Sequence, residues 1–401
     1  MSESKRIVFS FFNLGGYHLV RLDAVSKMLK PLGWVVSVIE FSPYDAERPW
    51  GSGFAASSVD VYRLFKTQEE FSAFSARGRN ACLVAQLEQL KPDVLAIPGW
   101  GHSTARTMLR WARRRGVPTI LMSDSKSDDK PRRTMIEWIK SLIVRQFDAA
   151  IVAGVRHREY LRSLGMSDAQ IFYHYDVVDN DYFRDKAEAD GQNPEETLNR
   201  YPGLKRPFYL VATRFLARKN LLLLLEAYGY YVKQCAGENP YQLMLVGSGG
   251  EEGKIRQMIN ELGLEKLVLL PGFVEYEQMA GLYGVSSALI HPALTEQWGL
   301  VVNEACASSL PVLLSDTTGA VEMIIDGVSG LLFDPKDVDR LAELLLQFHH
   351  MTEAEKQKMG EEASRAVADY SPNAFGEGIV DALAYIVNSR QPGFSLTDIG
   401  R

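Results

Sequence analysis

"SALIHPALTEQWGLVVNEACASSLPVLLSD", residues 287–316, reads as a strand, a loop, a helix and a second strand. "SALIHPA" is an apolar run of strand length, and "LTEQ" leads into helix-type composition from Trp298 to about Ser309. Pro311 ends that helix before "VLLSD". A strand, a crossover helix and a strand build a parallel pair. In open α/β sheets ligands sit beyond the carboxyl ends of the strands, which is where this loop and helix start must lie. Glu296 stands in the loop and Glu304 in the second helical turn, eight positions on. The first turn between them, near Leu300 and Val301, offers unpaired N–H groups and a positive dipole end to an anion such as a phosphate. Ionised carboxylates accept strong hydrogen bonds from sugar hydroxyls. By spacing alone, Glu296 also suits a complement to the helix dipole and Glu304 a solvated helix residue.

Outward from this segment the same alternation runs almost end to end. Strands are expected at "RIVFSFF", "WVVSVIE", "VDVYRL", "DVLAIPG", "PTILMS", "DAAIVAG" and "QIFYHY". Helices are expected between them at His18 to Lys30, Arg79 to Leu90, Ser103 to Arg115, Arg132 to Gln146 and Arg156 to Leu164. A second series follows at "FYLVATRF", "QLMLVGS", "LVLLPGF", "SALIHPA", "PVLLSD" and "GLLFDP". Between the two lies "RDKAEADGQNPEETLNRYPGLKR", polar and without a strand-like run, expected as a linker. The expected division is a first Rossmann-like domain over 1–185, a linker over 186–206, a second domain over 207–370, and a helix and tail over 371–401. After helices at Val338 to His349 and Ala354 to Asp369, the last helix opens on a serine cap and a proline and has no strand after it. It is free to pack across onto the first domain.

A chain of 401 residues with 46% hydrophobic and 23% charged residues has the material for two cores. A net charge of -6 gives no general reason to expect nucleic acid. Cys82, Cys235 and Cys306 are widely spaced and form no C-x-x-C pair, so neither a disulfide framework nor a zinc motif is expected. The start reads as a short polar lead rather than a secretory signal, and a cytoplasmic protein is expected. "VGSGGEEG" has the wrong spacing for a dinucleotide fingerprint and sets Glu252 where a glycine belongs. "DND" at 179–181 and "DVD" at 337–339 match a short metal-holding pattern that arises easily by chance, and no obligatory metal is expected.

Two further loops face the ligand side of the first domain. "FFNLGGYH" brings Gly16 to a helix start where the backbone can approach a ligand closely, although a Gly-Gly pair also serves as a tight turn. "PGWGHST" carries His102, either a donor to a hydroxyl or phosphate or a structural histidine. The stretch from Ala105 to Arg145 sets eleven Lys and Arg against four Asp and Glu, with Trp138, Ile139, Leu142 and Ile143 interleaved. It suits peripheral contact with anionic lipid, and equally a crossover helix with a solvated basic face.

"HPALTEQWGLVVNEACASSLPVLLSDTTGAVEMIIDGVSGLLFDP" resembles the donor-binding segment of retaining GT-B glycosyltransferases with the E-x7-E signature, glycosyltransferase family 4. "LVATRFLARKNLLLLLEAY", "LMLVGSGGEEGKI" and "VLLPGFVEYEQMAGLY" are similar to other parts of the same domain, so the likeness covers roughly Phe208 to Pro335. The resemblance implies two doubly wound domains facing across a cleft and a nucleoside diphosphate sugar as co-substrate. Glu296 would contact the donor hexose, Glu304 the ribose, and Arg214 and Lys219 the diphosphate. The base would lie by Phe273 and Val274, with Gly247, Gly299, Leu300, Val301 and Gly16 around the donor and His102 in the cleft. Transfer of a hexose or N-acetylhexosamine to a glycan, lipid-linked or small-molecule acceptor would retain configuration, with UDP favoured over GDP. Gln297 and Trp298 depart from the residues common in relatives and leave the sugar open. An idle sugar-nucleotide sensor or scaffold, a nucleotide-sugar epimerase and a phosphorylase share the fold and stand as alternatives.

Overall fold

The computed structural model describes residues 4–42, 58–235 and 237–390. Two compact units emerge, Met1–Val178 with Tyr370–Arg401 in one and Asp179–Asp369 in the other. The first carries β1 (Lys5–Phe11), β2 (Trp34–Glu40), β3 (Asp60–Arg63), β4 (Val94–Pro98), β5 (Thr119–Ser123), β6 (Ala149–Val152) and β7 (Ile171–Phe172). They pair in the order β3-β2-β1-β4-β5-β6-β7, all parallel. The order reverses between β1 and β4, the switch point of a doubly wound sheet.

Alternate side chains of β1 supply both faces. Ile7, Phe9 and Phe11 pack with Leu22, Val25 and Leu29 of the helix Gly16–Leu29. Val8 packs on the other side with Leu83 and Leu87 of Ala76–Leu90 and Met108 and Leu109 of Ser103–Arg115. Burial on two faces is why the strands read as continuous apolar runs.

The last helix, Pro372–Arg390, belongs to this first unit. Ser371 Oγ caps it by accepting from the Ala374 N–H at 3.2 Å. Phe375, Ile379, Leu383 and Ile386 recur at helical spacing and complete the face begun by Phe9 and Leu22. A Cβ at Gly376 would meet Met28 Sδ at 2.8 Å, and one at Gly378 the Tyr173 carbonyl at 2.7 Å, so glycine sets how close the helix lies. Residues 391–401 and 1–3, parts of the expected tail and polar lead, lie outside the described residues.

The second unit carries β8 (Phe208–Ala212), β9 (Gln242–Val246), β10 (Val268–Gly272), β11 (Ala288–His291), β12 (Val312–Ser315) and β13 (Gly330–Phe333). The order is β10-β9-β8-β11-β12-β13, again parallel throughout. Tyr209, Val211, Leu243, Leu245, Ile290 and Leu313 point from the sheet into one cluster. There they meet Leu224, Leu225 and Tyr228 of Leu221–Gln234 and Leu341, Leu345 and Phe348 of Val338–His350.

The segment expected as a linker, 186–206, is largely helical. Helices Asn180–Gln192 and Pro194–Leu198 fill much of it, and the division between units falls before it, at Val178. The first of these helices packs on Tyr276–Val285 through Phe183, whose ring centroid is 5.2 Å from that of Tyr276. Tyr182 stacks on the same Tyr276 ring at 5.8 Å, and glycines bring the two backbones close: a Cβ on Gly284 would meet the Ala187 carbonyl at 2.1 Å, and one on Gly191 the Gly284 carbonyl at 3.1 Å. Close packing of glycine and alanine leaves no apolar period for a sequence reading to find. Asp179 and Asp337, from the two short aspartate patterns, cap helices by accepting from the Tyr182 and Arg340 N–H groups at 3.0 and 2.9 Å.

Candidate functional site

In the second unit every loop that leaves a strand at its carboxyl end arrives at one edge of the parallel sheet. The loop after β8 turns through a short 3-10 helix, Ala217–Lys219, and Asn220 follows in the left-handed region at φ 61. The Asn220 amide donates to the Pro292 and Pro335 carbonyls at 3.1 and 2.7 Å, and the Leu294 N–H donates to the Arg218 carbonyl at 2.9 Å. These bonds hold the loop after β8 against the loop after β11.

The contact sets a carboxylate among cations. Lys219 Nζ touches Glu296 Oε2, with 9% and 12% of the two side chains exposed. Arg218 Nη1 lies 3.5 Å from both Glu296 oxygens and donates to the Thr295 carbonyl at 3.1 Å. His291 Nε2 is 3.7 Å from Glu296 Oε2. Burial, and after it the Arg218 and Arg214 charges, pull the Lys219 ammonium down to about 7. Burial with the neighbouring Lys219 and Arg218 holds His291 well below its ordinary value, so it is neutral at pH 7. Arg214 stands in the same loop, half-buried, three cations within six residues of chain. Thr213 Oγ1, His291 Nε2 and Thr318 Oγ1 are buried here without a hydrogen-bond partner among the described residues. Such orphaned polar atoms at a loop edge suit a polar ligand.

The expected helix starts two residues later than Trp298, at Leu300, and runs to Ala307. Gly299 caps it at φ 103, where a Cβ would lie 3.2 Å from Thr318 Cγ2 and 3.4 Å from Glu296 Cγ. Glycine is required there by conformation as well as by space. Thus Gly299 stands beside Glu296, and Leu300 and Val301 follow it as the first two residues of the helix. Trp298 turns inward instead: it is 2% exposed, and its indole donates to Asn303 Oδ1 at 2.8 Å. Glu304 is buried, and its Oε2 accepts from the Tyr283 hydroxyl at 2.7 Å. Burial raises its carboxyl to about 7 although the tyrosine bond acts the other way.

After β9, Gly247 (φ 132) presses on the loop after β8, where a Cβ would lie 1.8 Å from the Thr213 carbonyl. The Gly247 N–H donates to the Gly272 carbonyl at 2.8 Å and the Phe215 N–H to the Ser248 carbonyl at 2.8 Å. After β10, Phe273 is 47% exposed while Val274 is buried. Arg218, His291, Asn220 and Tyr283 were not singled out from sequence. Arg218 had a signal as the third cation of "TRFLARKN", but Tyr283 gave none.

His102 and Gly16 belong to the first unit. His102 is the exposed N-cap position of Ser103–Arg115 without a side-chain capping bond. Gly16 opens its helix behind Gly15, whose N–H donates to His18 Nδ1 at 2.9 Å. Thr134–Val144 buries only Val144 and exposes Met135, Ile136, Trp138, Ile139 and Leu142.

A family model described as "Glycosyl transferase 4-like domain" matches residues 19–175, and one described as "Glycosyl transferases group 1" matches 197–366. The chain belongs to the GT-B glycosyltransferases of this type. This glycosyltransferase chain is 23% identical over 242 residues to the alpha-D-kanosaminyltransferase of Streptomyces kanamyceticus. That match spans 60% of the chain and 61% of the relative. The fold matches the Anabaena protein HepE, solved in complex with UDP, at a TM-score of 0.70 and 17% identity over 94% of this chain and 99% of that one. It also matches the alpha,alpha-trehalose 6-phosphate synthase of Burkholderia multivorans at 0.73 and 14% identity, over 96% and 98%. Among the described residues, no helix of this glycosyltransferase is long and apolar enough to cross a membrane.

Proposed function

We propose that the chain is a retaining, metal-independent glycosyltransferase. It takes a hexose or N-acetylhexosamine from a nucleoside diphosphate sugar, with UDP favoured over GDP, and passes it to a glycan, lipid-linked or small-molecule acceptor. The observation that carries this is the pairing of Arg218 and Lys219 with Glu296, with the Arg214 charge acting on Lys219, just before the helix Leu300–Ala307. Transfer breaks the bond from the anomeric carbon to the diphosphate, and the electron pair leaves on phosphate oxygen. Cations and helix N–H groups stabilise that charge as it develops. Glu296 holds hexose hydroxyls, Glu304 the ribose, and Phe273 and Val274 border the base. The acceptor oxygen bonds to the same face of the anomeric carbon, and its proton passes to the leaving phosphate oxygen. In the first unit Gly16 and His102 are the candidate residues, His102 as a donor to a hydroxyl. HepE, solved with UDP, supports the choice of base.

The test is release of nucleoside diphosphate from a panel of UDP-, GDP- and ADP-sugars, with and without EDTA. Hydrolysis of one donor, insensitive to EDTA, is expected. Glu296→Ala should lower it by about 100-fold or more, the order lost with one transition-state contact, and leave the fold intact. Undiminished turnover in that variant would overturn the assignment of the donor site.

The acceptor reading extends to the membrane. Met135 is 75% and Trp138 62% exposed, beside Ile136, Ile139 and Leu142, in a stretch rich in Lys and Arg. An apolar helix face with basic neighbours supports docking on an anionic lipid surface, where a lipid-linked acceptor at the cytoplasmic face would be within reach. Sedimentation with phosphatidylserine vesicles should exceed that with phosphatidylcholine, and Trp138→Glu should abolish the difference. Equal sedimentation with both would leave the helix without a lipid role.

A further inference from the structure

Two neighbouring histidines end the helix Val338–His350, and the loop before β9 brings one carboxylate to both. His349 Nε2 lies 3.0 Å from Glu238 Oε2, and His350 Nε2 lies 3.4 Å from the same oxygen. All three ligand atoms fall within 4.8 Å of one another. Zinc bonds of about 2.0–2.1 Å in a tetrahedron set ligand atoms about 3.3 Å apart, close to the two edges that meet at Glu238 Oε2.

The surroundings hold the donors in place. Glu238 follows Gly237, which is left-handed at φ 99, and its own N–H donates to the Cys235 carbonyl at 2.9 Å. The His349 side chain is only 12% exposed, and its Nδ1 sits 2.8 Å from the Tyr231 hydroxyl. That hydroxyl is itself anchored by the Tyr241 N–H at 2.8 Å. A partner on the far ring nitrogen orients an imidazole and leaves its other nitrogen for a metal. Lys356 is the opposing charge nearby. Its Nζ is bonded to the Tyr241 hydroxyl at 2.7 Å and to Glu353 at 3.0 Å.

We propose that Glu238, His349 and His350 bind one zinc ion, with water completing the fourth position. Two imidazoles and a carboxylate select zinc over magnesium or calcium, which take all-oxygen shells. The loop precedes β9, whereas the loops that carry Glu296 and Lys219 follow their strands. In a parallel sheet those are opposite edges, so the ion touches no part of the transfer site. It clamps the loop after Leu221–Gln234 to the end of Val338–His350.

The experiment uses the full chain freed of any affinity tag. Zinc is titrated in competition with a chromogenic chelator, and cobalt(II) serves as a spectroscopic substitute. One zinc per chain, intense tetrahedral cobalt bands, and at least tenfold weaker zinc binding in both Glu238→Gln and His350→Ala are expected. Both substitutions are at half-exposed side chains, and circular dichroism checks that each variant is folded. No stoichiometric zinc, or affinities unchanged in both variants, would overturn the site and leave an ordinary helix-end ion pair. Zinc uptake does not depend on donor chemistry, so it stands or falls apart from sugar transfer.

Discussion

Lys219 is nine-tenths buried, touches a carboxylate and shares its loop with two arginines. With its ammonium drawn down to about 7, much of it is neutral in the free protein above that pH. A diphosphate adds negative charge and favours the charged form, so binding takes up a proton. Affinity for UDP should therefore fall as pH rises above about 7, by up to about tenfold per pH unit. Lys219→Arg, whose guanidinium stays charged, should flatten that profile; calorimetry in buffers of different ionisation enthalpy reads the proton directly. A profile equally steep in Lys219→Arg would exclude the lysine as its source. Glu304 also titrates near 7, but the arginine variant leaves it in place and so separates the two. Arg214, Lys219, Glu296 and Glu304 were singled out through the family resemblance, because spacing alone suits a dipole complement and a solvated helix residue equally well. The inward turn of Trp298 was not legible, since nothing in a linear pattern tells that its indole turns back to Asn303.

Among the elements, all thirteen expected strands are present, because parallel strands buried on two faces write themselves as apolar runs. Helices were harder where their contacts lack apolar side chains. Asn180–Gln192 buries Phe183 and Ala187, and the short Gln68–Ala73, capped by Thr67, buries nothing and was not expected at all. The closing helix Pro372–Arg390 shows the opposite case, since its serine cap and first-turn proline announced it even though its partner could not be named. Phe375 is 1% exposed among Phe9, Tyr175 and Leu22. Phe375→Ala should destabilise the first unit by about 3–5 kcal/mol. Hydrogen exchange by mass spectrometry should show the loss across β1 and Gly16–Leu29 and leave β8 to β13 unchanged. Uniform loss across both sheets would mean that the units do not unfold independently.

At the level of the whole chain, one unit is continuous and the other is not. Residues 179–369 form the second without interruption, so a fragment of that span should fold alone and bind UDP, as read by a thermal shift. The fragment 1–178 lacks Pro372–Arg390 and should aggregate, whereas adding a peptide of that helix should recover soluble protein. A soluble, monomeric 1–178 would show that the helix is dispensable. Composition and alternation were enough for two doubly wound domains, but where the chain crosses from one to the other depended on contacts far apart in sequence.

The discontinuity also bears on how the protein is made. Leu22, Val25 and Leu29 emerge from the ribosome early, yet the helix that covers them is synthesised after all of 179–369. At about 5–20 residues per second, that interval lasts about ten to forty seconds. During it the first domain carries a bare apolar face, whereas the second can close its own core once residue 369 has emerged. Chaperone dependence should therefore concentrate on the amino-terminal half, and a stall late in translation should be more damaging than the few missing residues suggest.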